Sequence, residues 1–406
     1  MNPEYLEIAD RIGARLCRDA LWSGGKCNWT ADCKEGDAIV HGSLGPRIYS
    51  GTSGIALFLW RLAEATGDRI IRRTALAALS QALSKMPQPR MPQPGMPQPG
   101  MPQPGCGLYS GGLGILFAAS EIRGDWDEDA VVRQAALEPS TLDLIGGSAG
   151  CIAVLLHLHR QRGGSRLLET AIGHGDLLLS QAVRTGDGWS WKTTGSPRNL
   201  TGFSHGAAGI GWALLELWSA TGESRFRTGA LEAFRYERSC FNPERRNWPD
   251  FRGATPSYPV LWCHGAAGIG FSRLRAWQLL GDAELLAEAR TALSTVSDPN
   301  SSCRSFSLCH GTAGNADLLI YAAQVLGEEH WLTAAEAAGR QGASRYERRH
   351  LPWPCGSPDC NETPDLMLGL AGIGYFYLRL ADPMRTSTVL LPGGSGDFPG
   401  EKCETR

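Results

Sequence analysis

Almost uninterrupted apolar runs alternate along the chain with amphipathic stretches richer in charge. The run Ile55-Ala56-Leu57-Phe58-Leu59-Trp60 is apolar nearly all round a helix, and Ile210 to Thr221 and Ile269 to Leu280 are similar. A helix of that kind is buried on most sides. These three runs close at Gly67, Gly222 and Gly281, and glycine is the residue that takes the left-handed turn at a helix end. The amphipathic stretches are Glu4 to Ala20, Ile70 to Lys85, a short one at about Asp127 to Leu137, Ser165 to Val183, Ser224 to Phe241, Ala283 to Val296 and His330 to Arg349. The pattern predicts one charged helix and one apolar helix, seven times over.

A glycine pair opens each apolar run. Gly-x-x-Gly recurs at Gly51/Gly54, Gly111/Gly114, Gly147/Gly150, Gly206/Gly209, Gly265/Gly268, Gly311/Gly314 and Gly369/Gly372, and such a repeat fixes the architecture. Seven helical hairpins form either an open solenoid or a closed ring. An apolar second helix in every unit favours the ring, in which an inner layer is covered by an outer one. The expected fold is therefore all-α: an (α/α) toroid over residues 1–382, with apolar helices inside and amphipathic helices outside. The glycine loops then lie at one end of the inner helices and converge on the axis.

Two segments fall outside this plan. Residues 86–104 repeat Met-Pro-Gln-Pro four times, a proline density that excludes helix and predicts an extended low-complexity insert on the surface. Residues 383–406, rich in Gly, Pro and Ser, are expected to be a flexible tail.

Composition narrows the function. A formal net charge of −2 argues against a nucleic-acid partner. The apolar runs are far shorter than the ~20 residues of a membrane helix. Residues 1–20 mix acids and arginines with no apolar core of a signal peptide, so the chain reads as soluble and cytoplasmic. Twelve cysteines in such a protein point to metal or thiol chemistry more than to disulfides. Cys17 and Cys151 read as small core residues, and Cys355 and Cys360 as a candidate local pair.

With the seven loops aligned on the first glycine, the two preceding residues are Tyr49-Ser50, Tyr109-Ser110, Ile145-Gly146, Ser204-His205, Cys263-His264, Cys309-His310 and Met367-Leu368. Histidine and cysteine occur there only in three consecutive repeats. Convergent loops bring Cys263, Cys309, His205, His264 and His310 into one small volume. Two thiolates and an imidazole suit zinc, and three protein ligands leave a position for substrate. His264 is the residue that could fill that fourth place and close the site. His41, His157, His159 and His174 read as surface or satisfied core residues. Thiolate ligands weaken a metal's hold on water as an acid but leave a bound thiolate nucleophilic, and His-Glu-x-x-His is absent. Thiol alkylation is the better fit.

The loops Thr201 to Ile210, Trp262 to Ile269 and Leu308 to Asn315 resemble those of lanthionine synthetase C-like cyclases, and the resemblance runs through all seven repeats to about Leu380. Leu44-Gly45-Pro46-Arg47-Ile48-Tyr49 is similar to the cyclase domain of bifunctional class II lanthipeptide synthetases. The resemblance implies zinc held by Cys263, Cys309 and His310, with His205 as the acid that protonates the enolate and Asp143 as the active-site aspartate. It implies addition of peptide cysteine thiols to dehydroalanine or dehydrobutyrine, giving thioether rings. The dehydrated precursor peptide would come from a separate dehydratase, since no such domain is present in this sequence. Pro259 stands where class I relatives carry an arginine, and His264 where they often carry tyrosine. Two other uses of the same ring are addition of glutathione to dehydrated residues and a non-catalytic, zinc-stabilised peptide scaffold.

Overall fold

The amphipathic stretches become the outer helices. They are α1 (Pro3–Asp19), α3 (Arg69–Ser84), α5 (Glu128–Ala135), α7 (Ser165–Ser180), α9 (Ser224–Cys240), α11 (Ala283–Val296) and α13 (Glu329–Gly342). Asn2, Asp68, Asp127 and Asp282 accept hydrogen bonds from the first free N–H groups of α1, α3, α5 and α11. The apolar runs become inner helices α2 (Thr52–Thr66), α4 (Gly112–Arg123), α6 (Ser148–Arg162), α8 (Ala207–Thr221), α10 (Ala266–Leu280), α12 (Thr312–Leu326) and α14 (Leu370–Ala381). Five of them end on a left-handed glycine: Gly67, Gly124, Gly222, Gly281 and Gly327. These elements come from a computed structural model, which describes residues 1–35, 38–86, 105–137, 139, 141–298, 301 and 303–393. The Met-Pro-Gln-Pro insert beyond Met86 and the tail beyond Gly393 lie outside the described residues.

The ring is closed. Each inner helix packs on the next from α2 round to α14, and α14 packs on α2. Outer helices lie against inner ones as α2–α3, α4–α5, α6–α7, α8–α9, α10–α11 and α12–α13, while α1 covers α14. The seam between the two ends is pinned where the Asn2 N–H donates to the Ala381 carbonyl at 2.7 Å. Among the described residues, three antiparallel hairpins decorate the helices: β1 (Leu21–Ser23) with β2 (Lys26–Asn28), β3 (Thr30–Glu35) with β4 (Ala38–Ser43), and β5 (Val183–Thr185) with β6 (Gly188–Ser190).

The expectation of a flexible tail from residue 383 fails for its first part. After α14 the chain enters the ring. The Thr386 and Ser387 carbonyls accept from Arg379 and Tyr375 of α14, and Thr388 Oγ1 donates to Asp317 of α12. Higher up, the Val389 and Leu390 carbonyls accept from Tyr109 Oη (2.6 Å) and Trp262 Nε1 (3.1 Å), both on glycine loops. Leu390 and Leu391 are fully buried. Polar backbone is tolerated there because inner-helix and loop side chains satisfy it.

Candidate metal centre

The second glycine of each pair is what lets the loops fold over. A Cβ at Gly54, Gly114, Gly150, Gly209, Gly268, Gly314 or Gly372 would lie 1.8–2.3 Å from the carbonyl oxygen of Ile48, Leu108, Leu144, Phe203, Trp262, Leu308 or Leu366 respectively. Those seven residues share one loop position, are all apolar, and are all buried beneath the loop layer.

The next position forms a circle, in which Leu144 donates in place of Ile145 in the third loop. Tyr49 N–H donates to Tyr109 O, Tyr109 to Ile145, Leu144 to Ser204, Ser204 to Cys263, Cys263 to Cys309, Cys309 to Met367, and Met367 back to Tyr49, at 2.9–3.4 Å. Convergence of the loops is thus a backbone property, and repeats five and six set Cys263 and Cys309 side by side.

Cys263, Cys309 and His310 are brought together. Their two sulfurs and a ring nitrogen of His310 all lie within 4.8 Å of one another, so the three could hold a metal ion. The Cys263 Sγ to His310 Nδ1 separation is 4.0 Å. A tetrahedral ion with bonds of roughly 2.1–2.3 Å sets its donors about 3.5 Å apart, so the set fits. His310 Nε2 donates to the Gly356 carbonyl at 3.0 Å, which leaves Nδ1 bare toward the sulfurs. A hydrogen bond with Cys309 holds the Cys263 thiol well below its ordinary pKa, and His310 adds to this against the cost of burial. Burial, with the hydrogen bond to Cys263, pushes the Cys309 thiol well above its ordinary pKa. Tyr49 Oη donates to Cys309 Sγ at 2.9 Å.

His205 and Asp143 also meet. Nδ1 of His205 lies 2.7 Å from Asp143 Oδ2, and Oδ1 of the buried aspartate accepts from Gly146 N–H at 2.9 Å. The aspartate therefore fixes the ring with its proton on Nδ1 and leaves Nε2 free for chemistry. His264 stacks beside His205 with ring centroids 5.9 Å apart. It is buried, neither nitrogen has a hydrogen-bond partner among the described residues, and it stands outside the cysteine–histidine cluster. Asp250 approaches it at 3.9 Å and is itself held by Arg252 at 2.7 Å.

All of these groups except Asp143, Gly146 and Asp250 line one cleft of about 1400 Å³. That is more than the ~300–1,000 Å³ of a small-molecule pocket and gives room for a peptide. Tyr49, Asp250 and Arg252 escaped the sequence reading. Tyr49 was legible in principle, since it occupies the loop position of Cys263 and Cys309. Arg252 was not: it comes from an irregular connector and supplies positive charge near the site although Pro259 does not. Burial opposes its charge, but Asp250 and then the Cys263 and Cys309 sulfurs hold its pKa above the ordinary value. Cys355 and Cys360 are free thiols, joined only through their backbones at 3.2 Å.

A family model described as lanthionine synthetase C-like protein matches residues 42–391. Glutathione S-transferase LANCL1 of Danio rerio is 23% identical over 359 residues, spanning 83% of this chain and 82% of its own. Among solved structures, nisin cyclase superposes with a TM-score of 0.64 at 17% identity, over 84% of this chain and 90% of its own. A GH76 α-mannanase of Bacteroides thetaiotaomicron gives 0.53 at 12% identity, over 94% and 96%. At such identities the two structures establish a shared toroid and nothing about chemistry.

Proposed function

The chain belongs to the lanthionine synthetase C-like family, and on that footing we propose that it is a zinc-dependent cyclase acting on dehydrated peptides. It adds a cysteine thiol of the peptide across dehydroalanine or dehydrobutyrine to form a thioether ring. One observation carries this reading: Cys263, Cys309 and His310 form a three-donor cluster on the same cleft as the His205–Asp143 pair.

Zinc, when bound by Cys263, Cys309 and His310, supplies thiol deprotonation and holds the sulfur as a nucleophile. The protein's own residues do the rest. The cleft holds both ends of the reacting segment together, which turns the addition into a local event. A C–S bond forms at the β-carbon while the C=C bond is consumed, and His205, protonated on both nitrogens, delivers its Nε2 proton to the α-carbon and returns to the neutral ring. The thiol proton ultimately replaces the one that His205 gives up, so no group leaves. Asp143, on Nδ1, keeps His205 oriented and stabilises the imidazolium that donates from Nε2. The dehydrated residues are the product of a dehydratase activity acting before this step.

The three-donor cluster supports a thiol as nucleophile, and the name of the nisin cyclase neighbour favours a peptide thiol. A second reading, in which glutathione supplies the thiol, is favoured by the name of the Danio rerio relative. The test measures metal content and free thiols after incubation with a dehydrated, cysteine-containing peptide. One zinc per chain and loss of alkylatable thiol without glutathione are expected, and both disappear in Cys309→Ala. Rings formed undiminished by that variant would overturn the zinc step; adducts formed only when glutathione is supplied would select the second reading.

A further inference from the structure

The cleft is lopsided in charge. The whole chain carries a formal net charge of −2, yet Arg47, Arg245, Arg246, Arg252 and Arg304 line the cleft against Glu244 and Asp298 alone. The arginines reach it from three separate connectors: the one before α2, the one between α9 and α10, and the one between α11 and α12. Arg252 is engaged by Asp250 and Arg246 by Ser294. The guanidiniums of Arg47, Arg245 and Arg304 are exposed, and none has an ion-pair or hydrogen-bond partner among the described residues. Elsewhere on the surface, Arg166 pairs with Asp129, Arg290 with Glu328 and Arg348 with Glu4. Positive groups gathered at one mouth repel each other and raise the local concentration of anions. The guanidinium fork matches a carboxylate in two hydrogen bonds.

We propose that Arg47, Arg245 and Arg304 form a carboxylate-binding rim, which takes an acidic stretch of the peptide substrate beside its reacting cysteine. The proposal rests on the peptide-cyclase reading and names its substrate class. Carboxylates held across the mouth keep the segment extended over the cleft while the cysteine reaches inward to the ligand cluster. Charge complementarity of this kind also speeds encounter and selects against basic segments.

The experiment uses the zinc-loaded full chain and two labelled synthetic peptides. Each has one cysteine, flanked either by Asp and Glu or by Asn and Gln at the same positions. Binding is read by fluorescence anisotropy, without chemistry, so absence of this preference and absence of ring formation are separate results. The acidic peptide should bind about tenfold more tightly at low salt, as expected for a few exposed pairs. That advantage should shrink as salt rises. A combined Arg47→Gln, Arg245→Gln, Arg304→Gln variant should keep its melting temperature and lose the preference. Equal affinity for the two peptides overturns the proposal, as does a preference that survives the triple variant. A single-stranded oligonucleotide that binds as tightly as the acidic peptide also overturns it, because the rim would then be a general polyanion surface.

Discussion

Tyr49 shows how much of the site depends on a residue that touches no ion. Burial and the neighbouring Cys309 sulfur push its phenol pKa up, so it stays protonated and donates to that sulfur at every working pH. Partners of this kind orient and tune ligands, and Tyr49→Phe should weaken zinc binding by about tenfold or more, measured by chelator competition. Asp143→Asn tests the other arm. With the tautomer of His205 released, cyclisation should fall by roughly 10²–10⁴-fold while zinc content stays unchanged. His174 carries a pH effect on stability remote from the site. Burial holds its imidazole below the ordinary value of 6.5, against a weaker opposing pull from the Ala135 carbonyl. Below about pH 6.5 the unfolded chain binds a proton that the folded chain refuses, so stability should drop as pH falls through that window. His174→Gln should flatten this slope in a plot of Tm against pH.

Helices were the most legible elements, because the 3.6-residue pattern and the glycine stops agree. The expected runs ending at Gly67, Gly222 and Gly281 match α2, α8 and α10 in where they end, and the outer stretches match to within a few residues, except that the last gives way to a π-helical turn at Ala343–Glu347. The hairpins were not legible. Strands of three residues with fully exposed sides, such as Leu21–Ser23 and Val183–Thr185, leave no alternation to read. The glycine pairs carried most of the information, and they support a contrast within one residue type. Gly314→Ala would put a Cβ 1.8 Å from the Leu308 carbonyl, next to the Cys309 loop, and should cost at least about 2 kcal/mol in urea unfolding. Gly173→Ala, exposed on α7 with nothing within 4 Å, should instead stabilise by about 0.5–1 kcal/mol.

At the scale of the molecule, ring closure followed from the apolar inner helices, but the filling of the ring did not. A segment of Ser, Thr, Val, Leu and Gly after the last repeat has the composition of a loose tail. What makes it ordered is the set of partners waiting inside: Asp317, Tyr375, Arg379, Tyr109 and Trp262. Residues 386–391 thus brace the loop layer from below, through the tryptophan that immediately precedes Cys263. Leu390→Ala should cost about 2–5 kcal/mol, read as a lower denaturation midpoint. Its effect should reach the metal as a faster loss of zinc to chelator, which a substitution at an exposed site such as Ile70 would not produce.

The two sulfurs and the imidazole lie within one stretch of chain, but the phenol that steadies them is 260 residues distant from Cys309. On the zinc reading, the three donors come from residues 263–310 alone, and closing the ring adds the outer contact from Tyr49. Affinity for the ion thereby becomes a report on whether the circle has been completed, and scarce zinc would favour chains that have closed over those that have not.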